Sequence, residues 1–153
     1  MEQIVGYYLQ MRGSTLAVAE SCTGGMLAER ITSIAGSSDY FLGGFLVYSD
    51  RMKVELLGVD AALIAEHTSV SEEVAAAMAA GARVRTGSTC AISVTGEAGP
   101  QSATGAPPGT IILGFAGPDG PPETRRFHLP GERNRIRMLA AQTALDFLRK
   151  KLR

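Results

Sequence analysis

Apolar residues in this chain occur in two patterns, and each pattern predicts a different kind of secondary structure. Short apolar runs bounded by glycine, proline or small polar residues predict five strands, at 15–20, 41–48, 90–95, 109–116 and 123–129. Apolar residues at helical spacing predict six helices, at 2–12, 26–34, 50–57, 60–66, 72–84 and 132–150. Because strands and helices alternate along most of the chain, we predict an α/β protein.

The connections between the strands indicate a mixed sheet. Helices separate the first three strands, which allows them to be parallel, whereas only the turn at 118–122 separates the last two. That direct hairpin predicts one antiparallel pair. The 153 residues contain no repeat and no linker, so we expect one domain spanning 1–153. In the first helix Ile4, Tyr8 and Met11 stand at helical spacing and are predicted to share a face.

The composition is that of an ordinary globular protein. Hydrophobic residues make up 45%, and 15 basic residues balance 15 acidic ones, so no overall charge points to nucleic acid or membrane. No run of 18 apolar residues predicts a membrane span, and the N-terminus does not resemble a signal peptide. The two cysteines define no disulfide framework. We therefore expect a cytoplasmic protein.

The strand-to-helix turn at 20–25 reads Glu-Ser-Cys-Thr-Gly-Gly and is the first candidate for chemistry. Free amides and the dipole of a helix N-terminus can hold an anion or stabilise an oxyanion. Ser21 and Cys22 offer nucleophiles there, and the amides of Gly24 and Gly25 offer oxyanion donors. Helix capping by a serine or threonine explains the same residues equally well.

Polar residues follow three of the predicted strands, at the ends where parallel strands gather ligands. These are Ser21, Tyr48-Ser49 and Thr95-Gly96. If the three strands are parallel, their tips converge on one crevice. Lys53 follows Tyr48 by five residues, and a lysine withdrawn from water can act as general base to a serine. The set predicts a Ser–Lys hydrolase site, although a solvated Lys53 and an interfacial Tyr48 explain the pattern more simply.

Other nucleophiles and cofactors have weaker support. Cys22 is a rival because helix N-termini activate thiols, but His67 and His128 are not expected to reach the crevice. A lysine and a tyrosine without histidine fit a serine better, so Ser21 is preferred. The cysteines and histidines lack the paired spacing of a zinc site, and no nucleotide-binding glycine motif is present. We expect neither metal nor cofactor.

Several motifs occur together in an order that resembles a known family. They are Glu20-Ser-Cys-Thr-Gly-Gly25, Gly43-Gly-Phe-Leu-Val-Tyr-Ser49 followed by Lys53, Leu56-Leu-Gly-Val59, Thr95-Gly-Glu-Ala-Gly-Pro100 and Arg133-Asn-Arg135. In this order they resemble the C-terminal domain of the competence/damage-inducible CinA family over nearly the whole chain. The resemblance implies a three-layer α/β/α sandwich on a mixed, mostly parallel five-stranded sheet.

The CinA family includes nicotinamide-nucleotide amidases of pyridine nucleotide salvage. The resemblance therefore implies an amidohydrolase that converts nicotinamide mononucleotide, a small-molecule nucleotide, to nicotinate mononucleotide and ammonia. By this resemblance, Ser21 corresponds to the family's nucleophile, Lys53 to its general base, and Tyr48 to a residue that assists proton transfer. Thr95 and Arg135 resemble substrate-site residues, and Arg135 suits a phosphate or carboxylate. We expect four neighbouring residues to contribute to the same site: Thr23, Gly24, Gly25 and Gly96.

Two features depart from the family pattern. Glu97 occupies a position that is usually apolar in the family, and the loop 101–108 is short and has no charged residue. A carboxylate there would repel a nearby phosphate. These departures support an alternative hypothesis, a catalytically silent nucleotide-binding or regulatory domain of the same fold.

The resemblance also bears on assembly. The helix at 72–84 is rich in alanine, and small residues allow close helix approach within a domain or across a two-fold axis. Because the family is commonly dimeric, we expect a homodimer. Many relatives carry an N-terminal domain that resembles molybdopterin-binding proteins, and its absence here leads us to expect the stand-alone form.

Overall fold

The computed structural model describes all residues from Met1 to Arg153. The strands are β1 Leu16–Glu20, β2 Phe41–Leu46, β3 Cys90–Gly96, β4 Thr110–Ala116 and β5 Glu123–His128. The helices are α1 Glu2–Met11, α2 Met26–Thr32, α3 Asp50–Leu57, α4 Ala61–His67, α5 Glu72–Thr86 and α6 Arg133–Lys151. All eleven predicted elements are present, and a short 3₁₀ helix at Ser37–Asp39 is the addition.

The five strands form one mixed sheet in the order β2-β1-β3-β4-β5. β1 pairs in parallel with both β2 and β3, whereas β4 pairs antiparallel with β3 and with β5. Four strands therefore point in the same direction, and β4 alone runs the other way. The predicted mixed α/β sheet is confirmed, and the three strands followed by candidate site residues are parallel.

Helices cover both faces of the sheet and make three layers. One face packs against α1, α2 and α6 in the larger core, through residues such as Leu9, Leu27 and Leu145. The other face packs against α3 and α5 in a smaller core that includes Leu57 and Met78. Because β1 and β3 contribute side chains to both cores, they are apolar throughout rather than alternating.

The buried face of α1 differs from the predicted one. Val5, Gly6 and Leu9 are buried, whereas Ile4 and Met11 are 46% and 68% exposed. The pattern was ambiguous because apolar residues occur all round this helix, so its spacing alone did not choose between two faces.

Small residues in α5 are used for close packing inside the domain. A side chain at Gly81 would clash with the carbonyl oxygen of Leu57 in α3, and one at Gly114 in β4 would clash with that of Ala75 in α5. The alanine-rich helix therefore needs no second copy of the chain to explain its composition, and the homodimer stays a prediction.

No helix combines the length and the apolar composition that crossing a bilayer would require.

Candidate active site

A cleft of about 140 Å³ lies at the carboxyl ends of the three parallel strands. Ser21 follows β1, Tyr48 follows β2 by two residues, and Thr95 and Gly96 end β3. All four line the cleft, together with Lys53. The predicted convergence of three strand ends on one crevice is thus confirmed. Ser49 has a different role, because its hydroxyl accepts the Met52 amide at 3.3 Å and caps α3.

The Glu20 carboxylate organises the turn that carries Ser21. Its Oε2 accepts the amides of Gly25 and Leu27 at 3.1 and 3.0 Å, and its Oε1 accepts the Ala28 amide at 2.8 Å. The N-terminus of α2 is therefore capped by a carboxylate from the preceding strand. No serine or threonine side chain caps this helix, so the simple capping interpretation of the turn is wrong.

This cap corrects the prediction of oxyanion donors at the two glycines. The Gly25 amide donates to Glu20, and the Gly24 amide donates to the Ser21 carbonyl at 3.1 Å. Neither amide is free for a ligand in this conformation. Both glycines have positive φ, 62° and 94°, and serve to turn the chain from strand into helix. Neither they nor Thr23, whose side chain is fully buried, line the cleft.

We expect Glu20→Gln to destabilise the protein by about 1.5–3 kcal/mol, because it weakens three charge-assisted hydrogen bonds to a helix N-terminus. Glu29→Gln is the matched control, since Glu29 lies exposed in the same helix. It should change the free energy of unfolding by less than about 0.5 kcal/mol. Urea unfolding followed by circular dichroism measures both values, and equal stability of the two variants would contradict the capping role.

Lys53 is buried, with only 2% of its side chain exposed, so the interpretation as a solvated lysine is wrong. Lys53 lies one helical turn before Leu57, on the face of α3 that packs against the rest of the domain. Lys53 Nζ donates to Asp50 Oδ1 at 3.1 Å and has no other partner in the chain. A buried amine at the edge of a cleft that also contains a serine is an arrangement suited to proton transfer.

Tyr48 is 60% exposed and is held by an arginine that the sequence analysis did not select. Arg133 Nη2 donates to the Tyr48 hydroxyl at 2.8 Å, and Nη1 donates to the Gly99 carbonyl at 2.8 Å. The phenol oxygen thus accepts one hydrogen bond from the chain, and its own hydrogen remains available to a ligand.

Arg133 lines the cleft, whereas Arg135 does not. The side chain of Arg135 folds back over Gly131 at the exposed start of α6. Arg133 and Arg137 are four residues apart and flank the buried face of α6, while Arg135 falls on the other side of the helix. That helical spacing was the signal in the sequence that distinguishes the three arginines.

Cys22 lines the cleft but is poorly suited to act as nucleophile. Burial raises the pKa of its thiol to about 12, and the Glu20 carboxylate adds to the effect. The thiolate is the nucleophilic form, so almost none is present near neutral pH. Arg137 donates to the carbonyls of Cys22 and Thr23 at 3.2 and 3.1 Å, which fixes the backbone of the turn.

The raised pKa predicts slow alkylation of Cys22 in the native protein. At pH 8 the thiolate fraction should be on the order of 10³-fold smaller than in the unfolded chain, and iodoacetamide should react correspondingly slowly. Native and guanidinium-unfolded protein can be compared by mass spectrometry over time, and the rate should still be rising at pH 10. Rapid native modification at pH 7 would contradict this expectation.

Thr95 and Glu97 complete the wall formed by the end of β3. The Thr95 hydroxyl donates to the Ser69 carbonyl at 2.8 Å, which ties the strand to the segment before α5. Glu97 is 93% buried, with 7% exposed, and faces the loop that includes Ala103 and Thr104. The sequence does not reveal this role of Glu97, because its hydrogen-bond partners lie in an irregular loop.

The histidines lie outside the cleft. His67 is half-buried beside Glu66 and Glu73, and His128 is exposed on the edge strand β5. No group of three or more histidine, cysteine, aspartate or glutamate side chains in the chain is placed to hold a metal ion.

Comparison with known proteins identifies the family. The profile of the CinA C-terminal domain matches residues 1–152. The chain belongs to the CinA C-terminal domain family. Two proteins named CinA-like protein, from Koribacter versatilis and Solibacter usitatus, are each 50% identical over 153 residues. These matches cover 99% of this chain but 37% and 36% of the relatives, so the chain spans little more than a third of their length.

Solved CinA structures share the whole fold. A CinA superfamily protein from Klebsiella pneumoniae superposes with a TM-score of 0.95 at 33% identity, and covers 99% of this chain and 94% of that one. The competence/damage inducible protein CihA from Agrobacterium tumefaciens superposes with a TM-score of 0.92 at 32% identity, with the same coverage. The three-layer sandwich inferred from the resemblance is therefore the fold of this CinA domain.

Proposed function

We propose that this chain is an amidohydrolase that converts nicotinamide mononucleotide to nicotinate mononucleotide and ammonia. The observation that supports the proposal most is the buried Lys53 in one cleft with Ser21 and Tyr48. Burial of a lysine costs desolvation free energy. The presence of a nucleophile and an aromatic hydroxyl in the same cleft supports a catalytic role for the buried amine. Membership of the CinA family supports the reaction class.

In the proposed mechanism Ser21 Oγ attacks the carboxamide carbon, and Lys53 Nζ takes up the serine proton as general base, directly or through the Tyr48 hydroxyl. The tetrahedral intermediate expels ammonia once the leaving nitrogen has received that proton. The resulting ester on Ser21 is then hydrolysed by water, which yields the carboxylic acid and restores the serine. Arg133, which orients the Tyr48 phenol, keeps the proton path in place.

The Cys22 amide is the proposed oxyanion donor. It follows the nucleophile directly and donates to no carbonyl oxygen of the chain. In other serine hydrolases with a strand-turn-helix nucleophile, the amide after the serine has this role. The Arg137 hydrogen bond to the Cys22 carbonyl holds the turn in the conformation that the amide requires.

The silent nucleotide-binding alternative is weakened by the structure. It relied on helix-terminus amides to hold a phosphate, but Glu20 already occupies those of α2. One oxygen of the Glu97 carboxylate, the second reason for the alternative, is engaged by the neighbouring loop.

The decisive experiment supplies purified protein with nicotinamide mononucleotide and quantifies both ammonia and the acid product. Formation of the two products in equal amounts, absent in Ser21→Ala, supports the amidase. Measurable affinity for the mononucleotide without any turnover would support the silent alternative instead. Unchanged turnover in Ser21→Ala would reject the mechanism while leaving the activity itself in place.

A further inference from the structure

The Glu97 carboxylate uses only one of its two oxygens inside the chain. Oε1 accepts the amides of Ala103 and Thr104 at 3.0 and 2.8 Å and the Thr104 hydroxyl at 2.8 Å. A longer contact from the Ser102 hydroxyl, at 3.4 Å, completes the set. This oxygen fastens the loop 102–104 against the end of β3, and Ala103 and Thr104 form part of the cleft wall.

The second oxygen, Oε2, receives no hydrogen bond from the chain, and no lysine, arginine or histidine pairs with Glu97. Thr23 Oγ1 is the one fully enclosed side-chain polar atom without a partner, so Glu97 Oε2 is not sealed inside the protein. Glu97 itself lines the cleft with Ser21 and Lys53. Glu97 is only 7% exposed, so its unpartnered oxygen is an acceptor that water or a bound ligand can reach at one restricted place.

We propose that Glu97 Oε2 is a specificity-determining acceptor for the ribose hydroxyls of the substrate. This inference rests on the proposed function, because it takes a mononucleotide amide as the occupant of the cleft. An ionised carboxylate can only accept hydrogen bonds. A mononucleotide amide offers donors in two places, the carboxamide and the two ribose hydroxyls, and its phosphate is an anion that a carboxylate repels.

The proposed chemistry already gives the carboxamide other partners than Glu97. The carboxamide must meet Ser21 and Lys53 for chemistry, so the hydroxyls remain as the donors for Oε2. A carboxylate that accepts from ribose hydroxyls is also the solution found in dinucleotide-binding folds. Glu97 therefore has two roles. Oε1 holds the loop that forms part of the cleft wall, and Oε2 accepts hydrogen bonds from the ribose hydroxyls.

The test compares nicotinamide mononucleotide with its 2′,3′-dideoxy analogue as substrates of the wild-type protein and of Glu97→Gln. Glutamine can keep one oxygen towards the loop donors, and its NH₂ then replaces Oε2. We expect the wild-type protein to lose roughly 10- to 100-fold in kcat/KM when the hydroxyls are removed. Glu97→Gln should discriminate between the two substrates by less than about threefold, with the change in KM rather than in kcat.

Ser102→Ala is the matched control. It removes one donor to Oε1, leaves Oε2 untouched, and lies outside the cleft lining. Its preference for the hydroxylated substrate should equal that of the wild-type protein. A thermal melt of each variant shows whether it is folded, and the two-substrate comparison on wild-type protein needs no variant at all.

Failure of this inference is distinct from failure of the proposed function. Equal use of the two substrates by the wild-type protein, or equal discrimination by Glu97→Gln, overturns the role of Glu97 and leaves the amidase intact. If the wild-type protein hydrolyses neither compound, the proposed amidase function is rejected. Binding of the two compounds to the wild-type protein and to Glu97→Gln is then measured by calorimetry. Hydroxyl-dependent affinity that requires Glu97 then supports the sugar site, and its absence overturns it.

Discussion

Ser21→Ala should abolish release of ammonia from nicotinamide mononucleotide, with kcat reduced by at least about 10³-fold. The proposed mechanism has no other group that can form the acyl intermediate, because the only other nucleophile of this turn that lines the cleft is the Cys22 thiol, whose pKa is raised to about 12 by burial. The substitution removes one oxygen from a residue that is 8% exposed, so the fold and much of the substrate binding should remain.

Cys22→Ala is the matched control, because it changes the next residue of the same turn. It removes a sulfur atom from the larger core and should cost on the order of 1 kcal/mol in stability. Activity should stay within a fewfold of wild type, since the proposed oxyanion donor is the backbone amide, which alanine retains. Single-turnover ammonia release, with a thermal melt of each variant, measures both effects. An inactive but folded Cys22→Ala beside an active Ser21→Ala would reverse the assignment of the nucleophile.

Lys53→Met should lower kcat by about 10²- to 10⁴-fold, the range expected for loss of a general base, while KM changes by only a fewfold. Methionine is the better replacement because Lys53 is 2% exposed and alanine would leave a cavity. The partner Asp50 has 55% of its side chain exposed, so water can solvate its carboxylate when the ammonium is absent. The variant should therefore fold at least as stably as the wild-type protein.

Arg51→Met tests the same change of a cation to methionine elsewhere in α3. Arg51 is 78% exposed and pairs only with Glu55, so its replacement should leave kcat unchanged. Steady-state kinetics at one pH measures both variants, and a thermal melt shows whether each is folded. Wild-type turnover by a folded Lys53→Met would exclude Lys53 as the base.

The sequence was sufficient for the sheet and for the place of the cleft. Apolar runs separated by helical patterns located every strand, and parallel pairing then required Ser21, Tyr48 and Thr95 to end at the same edge. The strands follow from the periodicity of apolar residues, which is a local property. The place of the cleft follows from the direction of the parallel strands, which is a property of the topology.

The details of the site depend on side chains that reach across several residues, and these were not predictable in the same way. Glu20 was read as the end of a strand, yet its carboxylate occupies the helix N-terminus that the sequence offered to a ligand. Glu97 was read as a source of repulsion, yet one of its oxygens holds a loop. Arg133 was passed over for Arg135, although helical spacing already favoured Arg133. The roles of the site residues in catalysis and substrate binding stay predictions.

The position of β1 between β2 and β3 has a consequence for biosynthesis. β1 is complete at residue 20, but its second partner strand spans residues 90–96, and Arg133 is later still. A nascent chain must therefore keep an apolar strand with one unpaired edge until β3 has been translated. The turn at 20–25 is thus made well before the strand and the arginine that enclose it. Chains that stop before β3 should therefore depend on protection from aggregation.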